Sequence, residues 1–523
     1  MTKEIVNRNN LIIYISVIIL FHITAHYLPF ERASIAPDDY GYLLRIINLG
    51  ELKLSNLLLY FKTVPDRPLN MIFLDLQNYL ILGDTTISLY FVLISTSLLT
   101  LLAFIFFSLL FNNYAYAFIL TLLYDLFPGK LEIFHTLIFF NINFVFFIYI
   151  LSLVSFLLFA RFKKSTYFFI SLICYCIGIF WYEAGFFIPL IMIIILLIYR
   201  KNELNLYYIL KLFSPFFFVA FFYLIYRLTW AFGFAESVPG RQPDIMLIPQ
   251  GIMDIINTYF GRYMLRSITY GIFKFKDIFM PLLLFLIILD LIVAFIIYYL
   301  IKNIKLKKID NDIMIIGISI FFISIIPNII AGAVGGRHSA IALIGFIIFI
   351  YWLIEKFGRY WINLFIFSIL LGLIVTQGNA WSQVIASRIN GSVYETIKEN
   401  KSSLINAENI VIDTGSFANN ISFSLVENNF NVLNTYYGAQ TFEDWGLESM
   451  VKIVLGKDYQ KKNIYISTKE IKSVSEDSYK ITVSDYAGYR AVNNRNIELP
   501  SNQTFVVDYY LVYKSGYNNG KRL

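Results

Sequence analysis

Residues 84–111, DTTISLYFVLISTSLLTLLAFIFFSLLF, decide what kind of fold this chain adopts. No charged side chain occurs from Ile87 to Phe111, a run of 25 residues. As a helix, that run would extend about 37 Å, which exceeds the roughly 30 Å hydrocarbon core of a lipid bilayer. The stretch therefore predicts a membrane-spanning helix.

The composition of the whole chain points the same way. Its 523 residues are 58% hydrophobic and 15% charged, with a mean hydropathy of +0.66, whereas soluble domains carry about 25% charged residues. This composition excludes a soluble enzyme, a disordered scaffold and a disulfide-stapled module. It predicts an α-helical multi-pass membrane protein. The two cysteines, Cys174 and Cys176, lie in an apolar run, and we expect them to pack rather than to pair.

Eleven segments are apolar enough to be candidate membrane spans. They are residues 11–29, 84–111, 114–128, 136–160, 166–181, 184–199, 207–232, 278–301, 312–331, 340–355 and 360–378. The first segment has no signal-peptide cleavage motif after it, so we expect an uncleaved span. The third is the shortest and ends at Pro128-Gly129. Residues 67–82 are expected to form a half-buried helix that leads into the second span.

Lysines and arginines in the short loops predict how the spans are oriented. With eleven spans, thirteen of these cations fall on one side of the membrane. They are Lys3, Arg8, Arg161, Lys163, Lys164, Arg200, Lys201, Lys302, Lys305, Lys307, Lys308, Lys356 and Arg359. Because cytoplasmic loops are rich in Lys and Arg, we expect a cytoplasmic N-terminus and an outer C-terminal tail. Since the cations sit in these turns, the net charge of +7 does not indicate nucleic-acid binding.

The composition becomes polar after Gly378. Five short runs there alternate between apolar and polar residues, which is typical of β-strands. They are NIVIDT at 409–414, NVLNTYY at 431–437, NIYIST at 463–468, YKITVSDY at 479–486 and TFVVDYYLVY at 504–513. Residues 443–456 are expected to form a helix. We therefore predict a transmembrane domain over 1–380 and an extracytoplasmic α+β domain over 385–523.

Glu183 stands out on the predicted outer face. It lies between two apolar runs, in the sequence WYEAG at 181–185. An ionisable side chain at that depth is costly, so one interpretation is that it faces a polar cavity and a charged partner. The other interpretation is a carboxylate solvated among the lipid head groups.

The first outer loop, residues 30–66, contains two adjacent acids, Asp38 and Asp39. One carboxylate of such a pair can act as a general base while the other orients a partner or a metal ion. The alternative is a solvated turn that caps a helix, a position that Asp favours. Directly after this loop come Arg67 and Pro68.

A second candidate site lies in the short loop GGRHSA at 335–340, which holds Arg337 and His338. Arginine suits bidentate recognition of phosphate, and the glycines before it allow close approach of the backbone. The alternatives are an arginine that reaches the lipid head groups and a histidine that sits at the interface. The sequence contains no P-loop, GxGxxG or recognised zinc motif.

This layout resembles the GT-C superfamily of integral-membrane glycosyltransferases. The shared features are a first span, a long outer loop with paired acids and amphipathic helices, many further spans, and a C-terminal outer domain. The motif that carries the resemblance is Asp38-Asp39 followed by Arg67-Pro68. The most similar in style are enzymes that depend on polyprenyl-phosphate sugars: bacterial O-antigen glucosyltransferases, lipid A aminoarabinose transferases and protein mannosyltransferases.

The resemblance implies transfer of a sugar from a polyprenyl-phosphate donor to a glycan, lipid or protein acceptor, on the outer face of a bacterial cytoplasmic membrane. The family's first-loop base maps to Asp38 or Asp39, with Asp38 preferred, and its second-loop acid maps to Glu132. The catalytic candidates are Asp38, Asp39, Glu132 and Glu183, and the donor-phosphate candidates are Arg67, Arg241, Arg262, Arg337 and His338. The second loop lacks an Asp-x-Asp motif, so dependence on a divalent cation stays open, and no other cofactor is implied.

Two further functions are compatible with the sequence. A polysaccharide polymerase or ligase of the cell envelope would also carry outer arginines, but it would not need the paired acids. A flippase or transporter would call for charges at mid-membrane and for internal symmetry. Asp290 is the most notable charge within a span, and the two halves of the chain show no similarity.

Overall fold

The structure of the protein is a computed structural model. It describes residues 8–28, 43–44, 47–48, 60–61, 67–81, 85–128, 140–201, 205–231, 246, 248–304, 306, 308–330, 340–413, 444–467, 471–475, 477–487 and 490–508. Within these residues, helices occupy the chain as far as residue 406. Strands, one α-helix and short 3-10 turns follow.

The α-helices are numbered here in chain order. They are α1 (Arg8–His26), α2 (Pro68–Ile81), α3 (Thr85–Phe111), α4 (Tyr114–Leu126), α5 (Phe140–Phe162), α6 (Ser165–Trp181), α7 (Ile188–Tyr199), α8 (Leu206–Tyr226), α9 (Ile248–Tyr259), α10 (Arg262–Phe275), α11 (Met280–Ile301), α12 (Asn311–Ile330), α13 (Ala340–Glu355), α14 (Trp361–Glu399), α15 (Lys401–Asn406) and α16 (Asp444–Leu455). Each of the eleven predicted apolar segments coincides with a helix, and α2 is the helix predicted over 67–82. Helices α9 and α10 were not predicted.

Among the described residues, six helices are long and apolar enough to cross a membrane. They are Leu89–Phe111, Asn141–Phe162, Leu206–Thr229, Met280–Ile301, Asn311–Ile330 and Trp361–Ser382. The other five predicted spans contain shorter apolar helical segments, which reach about 20–26 Å. These segments are Asn10–His26, Tyr114–Leu126, Ser165–Trp181, Glu183–Tyr199 and Ala340–Glu355. The chain is therefore a helical membrane protein, and the predicted count of eleven spans is not confirmed.

The helices enclose one large apolar core, and α5 lies within it. Phe146, Tyr149 and Leu153 of α5 recur at helical spacing and have no solvent exposure. Close approach of helices adds to the packing, because a Cβ at Gly345 of α13 would overlap the main chain at Gly317 of α12. The core fixes the ends of the helices, where the polar clusters described below are found.

The C-terminal region forms two small sheets. In the first, β1 (Asn409–Asp413) pairs in parallel with β2 (Asn463–Ser467) and with β6 (Thr504–Asp508). In the second, β3 (Lys472–Ser475), β4 (Ser478–Ala487) and β5 (Arg490–Pro500) pair antiparallel in that order. The strands predicted in NIVIDT, NIYIST and YKITVSDY are confirmed, as is the helix predicted over 443–456.

Other parts of the C-terminal prediction have different outcomes. TFVVDYYLVY is a strand over its first five residues, and its remainder lies outside the described residues. NVLNTYY at 431–437 also lies outside them. Strands β3 and β5 were missed because KSVS and RAVNNRNIELP are too polar to show a clear alternation.

Helix α14 joins the two parts of the molecule. It continues without interruption from Trp361 to Glu399, so the domain boundary predicted near residues 380–385 falls inside a helix. Val393 and Ile397 near its end are fully buried in a second apolar core with Ile410 of β1 and Met450 of α16. The C-terminal domain therefore packs on the same helix that runs through the membrane bundle.

Candidate functional site

Two clusters of charged side chains lie at the ends of the apolar helices. We call Arg67, Glu183 and Arg227 the arginine cluster. We call His22, His26 and Asp125 the histidine cluster. The first is partly exposed and the second is buried.

The arginine cluster is held by hydrogen bonds to one carboxylate. Arg67 donates from Nε to Glu183 Oε2 at 2.9 Å and from Nη2 to Oε1 at 2.5 Å. This is the parallel two-bond geometry in which guanidinium and carboxylate bind most strongly. Arg227 Nη1 lies 3.7 Å from the same Oε1 and donates to the Tyr223 hydroxyl at 3.2 Å. Glu183 therefore binds two guanidinium groups at once.

The turn that presents Glu183 is shaped by the packing of one tyrosine. Helix α6 ends at Trp181, and Glu183–Gly185 forms a single 3-10 turn before α7 begins. The ring of Tyr149 fits against Gly178 and Gly185, where any Cβ would overlap it. Its hydroxyl donates to the main-chain oxygen of Tyr182. The two glycines thus let the chain reverse tightly around a buried ring.

Aromatic rings surround the arginine cluster. The Arg67 guanidinium lies 4.4 Å from the centre of the Tyr182 ring, which is a cation–π contact. Phe180 of α6 meets Tyr223 of α8 edge to face with ring centroids 5.4 Å apart. The Tyr226 hydroxyl donates to the main-chain oxygen of Phe61 at 3.2 Å. The end of the first loop, the turn after α6 and the end of α8 therefore meet at one place.

The electrostatics of this cluster favour a fixed negative charge on Glu183. Burial by itself would raise the pKa of Glu183, but the charge and hydrogen bonds of Arg67, together with the charge of Arg227, outweigh it and lower the pKa. The carboxylate is therefore ionised at neutral pH. Among the described residues, two guanidinium groups face one carboxylate, and the three side chains are 17–20% exposed.

The histidine cluster connects α1 to α4. His22 and His26 are one helical turn apart on α1, and Asp125 is the residue before the last of α4. His22 Nδ1 lies 2.9 Å from Asp125 Oδ1, and His26 Nε2 lies 3.5 Å from Oδ2. The two histidines are fully buried and Asp125 is 1% exposed. Two imidazoles and a carboxylate are a donor set that can hold a transition metal.

Hydroxyl groups complete the surroundings of the histidine cluster. His22 Nε2 lies 3.0 Å from Thr96 Oγ1, and the Tyr27 hydroxyl lies 2.7 Å from the same oxygen. Thr100 of α3 donates to Asp125 Oδ1 at 3.0 Å. The cluster is therefore supported by hydrogen bonds from α3 as well as by its own helices.

Another buried acid, Asp290 of α11, has a simpler environment. Its Oδ1 accepts a hydrogen bond of 2.8 Å from Gln377 Nε2 of α14, which also donates to the main-chain oxygen of Thr24 at 3.2 Å. This contact ties α11, α14 and α1 together. It offers an uncharged partner to a buried carboxyl group, which is the usual environment of a structural acid.

The sequence-predicted residues divide into two groups. The structure brings Arg67 and Glu183 together, and Glu183 has the charged partner that one interpretation required. Arg262 begins α10, and its side chain is not described. The other predicted site residues lie outside the described residues: Asp38, Asp39, Glu132, Arg241, Arg337 and His338.

The sequence analysis missed Arg227 and the whole histidine cluster. The signal was present, because His22 and His26 are polar residues four apart in the apolar run ILFHITAH, and Asp125 stands in LTLLYDLF. The rule that drew attention to Glu183, that an ionisable residue in an apolar run needs a partner, applies equally to these three. Arg227 gave the same signal, because it lies inside the predicted span 207–232.

The chain matches no known protein-family profile, and no curated protein sequence matches it significantly. The geometry of the two clusters is therefore what bears on function.

Proposed function

We propose that this protein is a membrane glycosyltransferase of the GT-C kind. It transfers a sugar from a polyprenyl-phosphate donor to a glycan, lipid or protein acceptor of the bacterial cell envelope. The observation that carries the proposal is the arginine cluster, in which two guanidinium groups share one carboxylate beside aromatic rings and stay partly exposed. Such a group of charges suits a phosphate carried at the end of an apolar chain.

In the proposed reaction the acceptor hydroxyl oxygen forms a bond to the anomeric carbon of the sugar. The bond from that carbon to the phosphate oxygen breaks, and its electron pair stays on the phosphate. The carboxylate of Asp38 or Asp39 takes the hydroxyl proton, as a general base does. Arg67 and Arg227 stabilise the charge that develops on the leaving phosphate, which needs no proton donor. Glu132, Arg241, Arg262, Arg337 and His338 remain candidates for further contacts to donor and acceptor.

Glu183 takes a positioning role in this proposal. Its carboxylate oxygens accept hydrogen bonds from Arg67, and its pKa is lowered by the neighbouring guanidinium groups. A carboxylate in that state is a weak base at neutral pH. It holds the two arginines in a fixed orientation toward an incoming phosphate instead.

The proposal includes eleven membrane crossings, a cytoplasmic N-terminus and an outer C-terminal domain. The five shorter apolar helices would cross with the help of adjoining residues and local thinning of the bilayer. Reporter fusions after residues 163, 305 and 390 test this topology. We expect cytoplasmic signals from the first two and an outer signal from the third, and a cytoplasmic third signal would contradict the outer location of the site.

The activity itself is tested by purified protein with a polyprenyl-phosphate sugar as donor and with envelope glycans from a deletion strain as acceptors. Asp38→Asn and Asp39→Asn are compared with the unaltered chain, and Glu395→Gln, an exposed acid paired with Lys398, serves as the matched control. Loss of the base lowers the transfer rate by about 10²–10⁴-fold. Normal transfer by both Asp38→Asn and Asp39→Asn would contradict the assigned base, and unaltered envelope glycans in the deletion strain would contradict the function.

A further inference from the structure

We propose that His22, His26 and Asp125 form a binding site for one divalent transition-metal ion of the zinc type, which fastens α1 to α4. This inference does not depend on the proposed sugar transfer. The three donor atoms lie within 4.8 Å of one another, on side chains with at most 1% exposure. No sequence motif marks the site, because its ligands come from helices about a hundred residues apart.

The spacing of the donor atoms suits a small tetrahedral ion. Zinc lies about 2.0–2.1 Å from nitrogen and oxygen ligands, so ligand atoms around it are roughly 3.3 Å apart. The separations are 2.9 Å from Asp125 Oδ1 to His22 Nδ1 and 3.5 Å from Asp125 Oδ2 to His26 Nε2. The two histidines share one face of α1, with ring centroids 4.9 Å apart. His26 Nε2 also lies 3.2 Å from the main-chain oxygen of Asp125, so metal binding would draw the three ligand atoms together and replace that contact.

The hydrogen bonds around His22 give its ring the form that binds metals. The Thr96 hydroxyl donates its one hydrogen to the Val92 carbonyl at 2.8 Å. Thr96 Oγ1 therefore accepts from His22 Nε2, which lies 3.0 Å away. With a proton on Nε2, Nδ1 is the ring nitrogen that faces Asp125. Metal-bound histidines are oriented in the same way, by a hydrogen bond from the outer ring nitrogen.

A metal ion would take the place of the proton in the hydrogen bond of 2.9 Å between His22 Nδ1 and Asp125 Oδ1. Two imidazole nitrogens favour zinc, cobalt, nickel or copper over magnesium or calcium, which prefer oxygen ligands.

The test is the metal content of the intact protein in detergent. The chain carries a streptavidin-binding tag, because a polyhistidine tag would itself bind zinc. It is loaded with zinc, desalted, and measured by mass spectrometry for zinc per chain. We expect about one zinc per chain, falling at least tenfold in His26→Gln and Asp125→Asn. Asp290→Asn, another buried acid with an amide partner, is the matched control and should keep its zinc.

A second pair of measurements separates this site from the cysteines. Cys174→Ser with Cys176→Ser should retain the zinc, and X-ray absorption at the zinc edge should show nitrogen and oxygen ligands without sulfur. If His26→Gln and Asp125→Asn do not fold, zinc is removed from the unaltered chain and added back, and the reloaded chain should again hold about one zinc. An unaltered, monodisperse chain that holds less than about a tenth of a zinc would overturn the site and leave a proton-sharing pair. Zinc retained in folded Asp125→Asn would also overturn it.

Discussion

The arginine cluster and the histidine cluster use similar chemistry in opposite environments. Each is organised around one carboxylate that contacts two nitrogen-bearing side chains. Glu183 and its arginines are 17–20% exposed, whereas Asp125 and its histidines are at most 1% exposed. Among the described residues, the carboxylate of the arginine cluster faces two guanidinium groups, whereas the carboxylate of the histidine cluster faces two imidazoles.

The difference in exposure indicates which role suits each carboxylate. Partial exposure lets a soluble or lipid-borne anion compete for guanidinium groups, so the arginine cluster suits a ligand. Full burial prevents such exchange, and breaking a buried pair is strongly destabilising. The histidine cluster therefore suits the fastening of helices. The comparison predicts that one cluster governs activity and the other governs stability.

The largest effect is expected for Asp125→Ala. This change leaves two buried imidazoles without their carboxylate, so the free energy of unfolding should fall by about 3–5 kcal/mol. Denaturant titration in detergent micelles measures it, with Glu395→Ala, which removes an exposed acid, as a surface control expected to stay within about 0.5 kcal/mol. An Asp125→Ala chain as stable as the unaltered protein would contradict a stabilising role of the histidine cluster.

Arg67→Ala should have the opposite effect to Asp125→Ala, with a large loss of activity and a small loss of stability. Loss of a guanidinium that stabilises the leaving phosphate should lower the transfer rate by about 10²–10³-fold. The pair is partly exposed, so stability should change by no more than about 1 kcal/mol. Arg67→Lys keeps the charge without the planar guanidinium group, so its transfer rate should lie between those of the unaltered chain and Arg67→Ala. The control is Arg161→Ala, which removes an arginine that lies on another tyrosine ring. Equal losses of transfer rate in Arg67→Ala and Arg161→Ala would contradict a specific role for Arg67.

A smaller effect is expected for Glu183→Gln. The amide keeps the shape of the side chain but not its charge, so the arginines should be held less firmly. We expect a rise of about tenfold in KM for the donor with little change in kcat. Glu183 positions the two arginines, which bind the donor phosphate in the ground state as well as in the transition state. A selective loss of kcat would instead indicate direct participation of Glu183 in the chemical step.

The pH dependence of Glu183 follows from its lowered pKa. A lowered pKa in the folded state means that the ion pair contributes stability above the ordinary value of 4.5 and loses it as the pH falls toward the folded value. Between pH 5 and 8 the rate profiles of the unaltered chain and of Glu183→Gln should therefore show the same inflections. An inflection present in the unaltered chain alone would contradict this assignment.

The smallest effect is expected for Tyr182→Leu. The ring of Tyr182 lies under the Arg67 guanidinium, and such a contact contributes about 0.5–1 kcal/mol. Affinity for a polyprenyl-phosphate donor should then weaken about two- to fivefold, as measured by titration. Tyr182→Phe keeps the ring and should bind normally. Identical donor affinities of Tyr182→Leu and the unaltered chain would contradict a role for the Tyr182 ring in donor binding.

The sequence was sufficient for the long apolar helices because their composition alone marks them, but it did not predict α9, α10 or α15. Glu183 could be singled out for the same reason, since a lone carboxylate in WYEAG has no polar neighbours in sequence. Its partner could not be identified, because Arg67 lies 116 residues away and meets it only after α6 ends at the buried Tyr149 ring. Apolar composition likewise does not fix how far each helix reaches, so the number of spans could not be settled.

The C-terminal domain shows a different limit. Alternation predicted strands β1, β2 and β4, but it does not show which strands pair or in which direction. The parallel pairing of β1 with both β2 and β6 depends on contacts across the intervening chain. The histidine cluster has a related limit, because each of its residues stands out in an apolar run but their proximity is evident only when α1 and α4 are placed side by side.

The unbroken helix α14 has a mechanical consequence. Its apolar part ends at Ser382, and residues 383–399 continue as helix for about 25 Å. A continuous helix resists bending far more than a flexible linker does. Val393 and Ile397 already belong to the C-terminal core, so the connecting part of the helix is residues 383–392. Inserting or deleting one residue there would shift the C-terminal domain by about 1.5 Å along the helix axis and rotate it by about 100°.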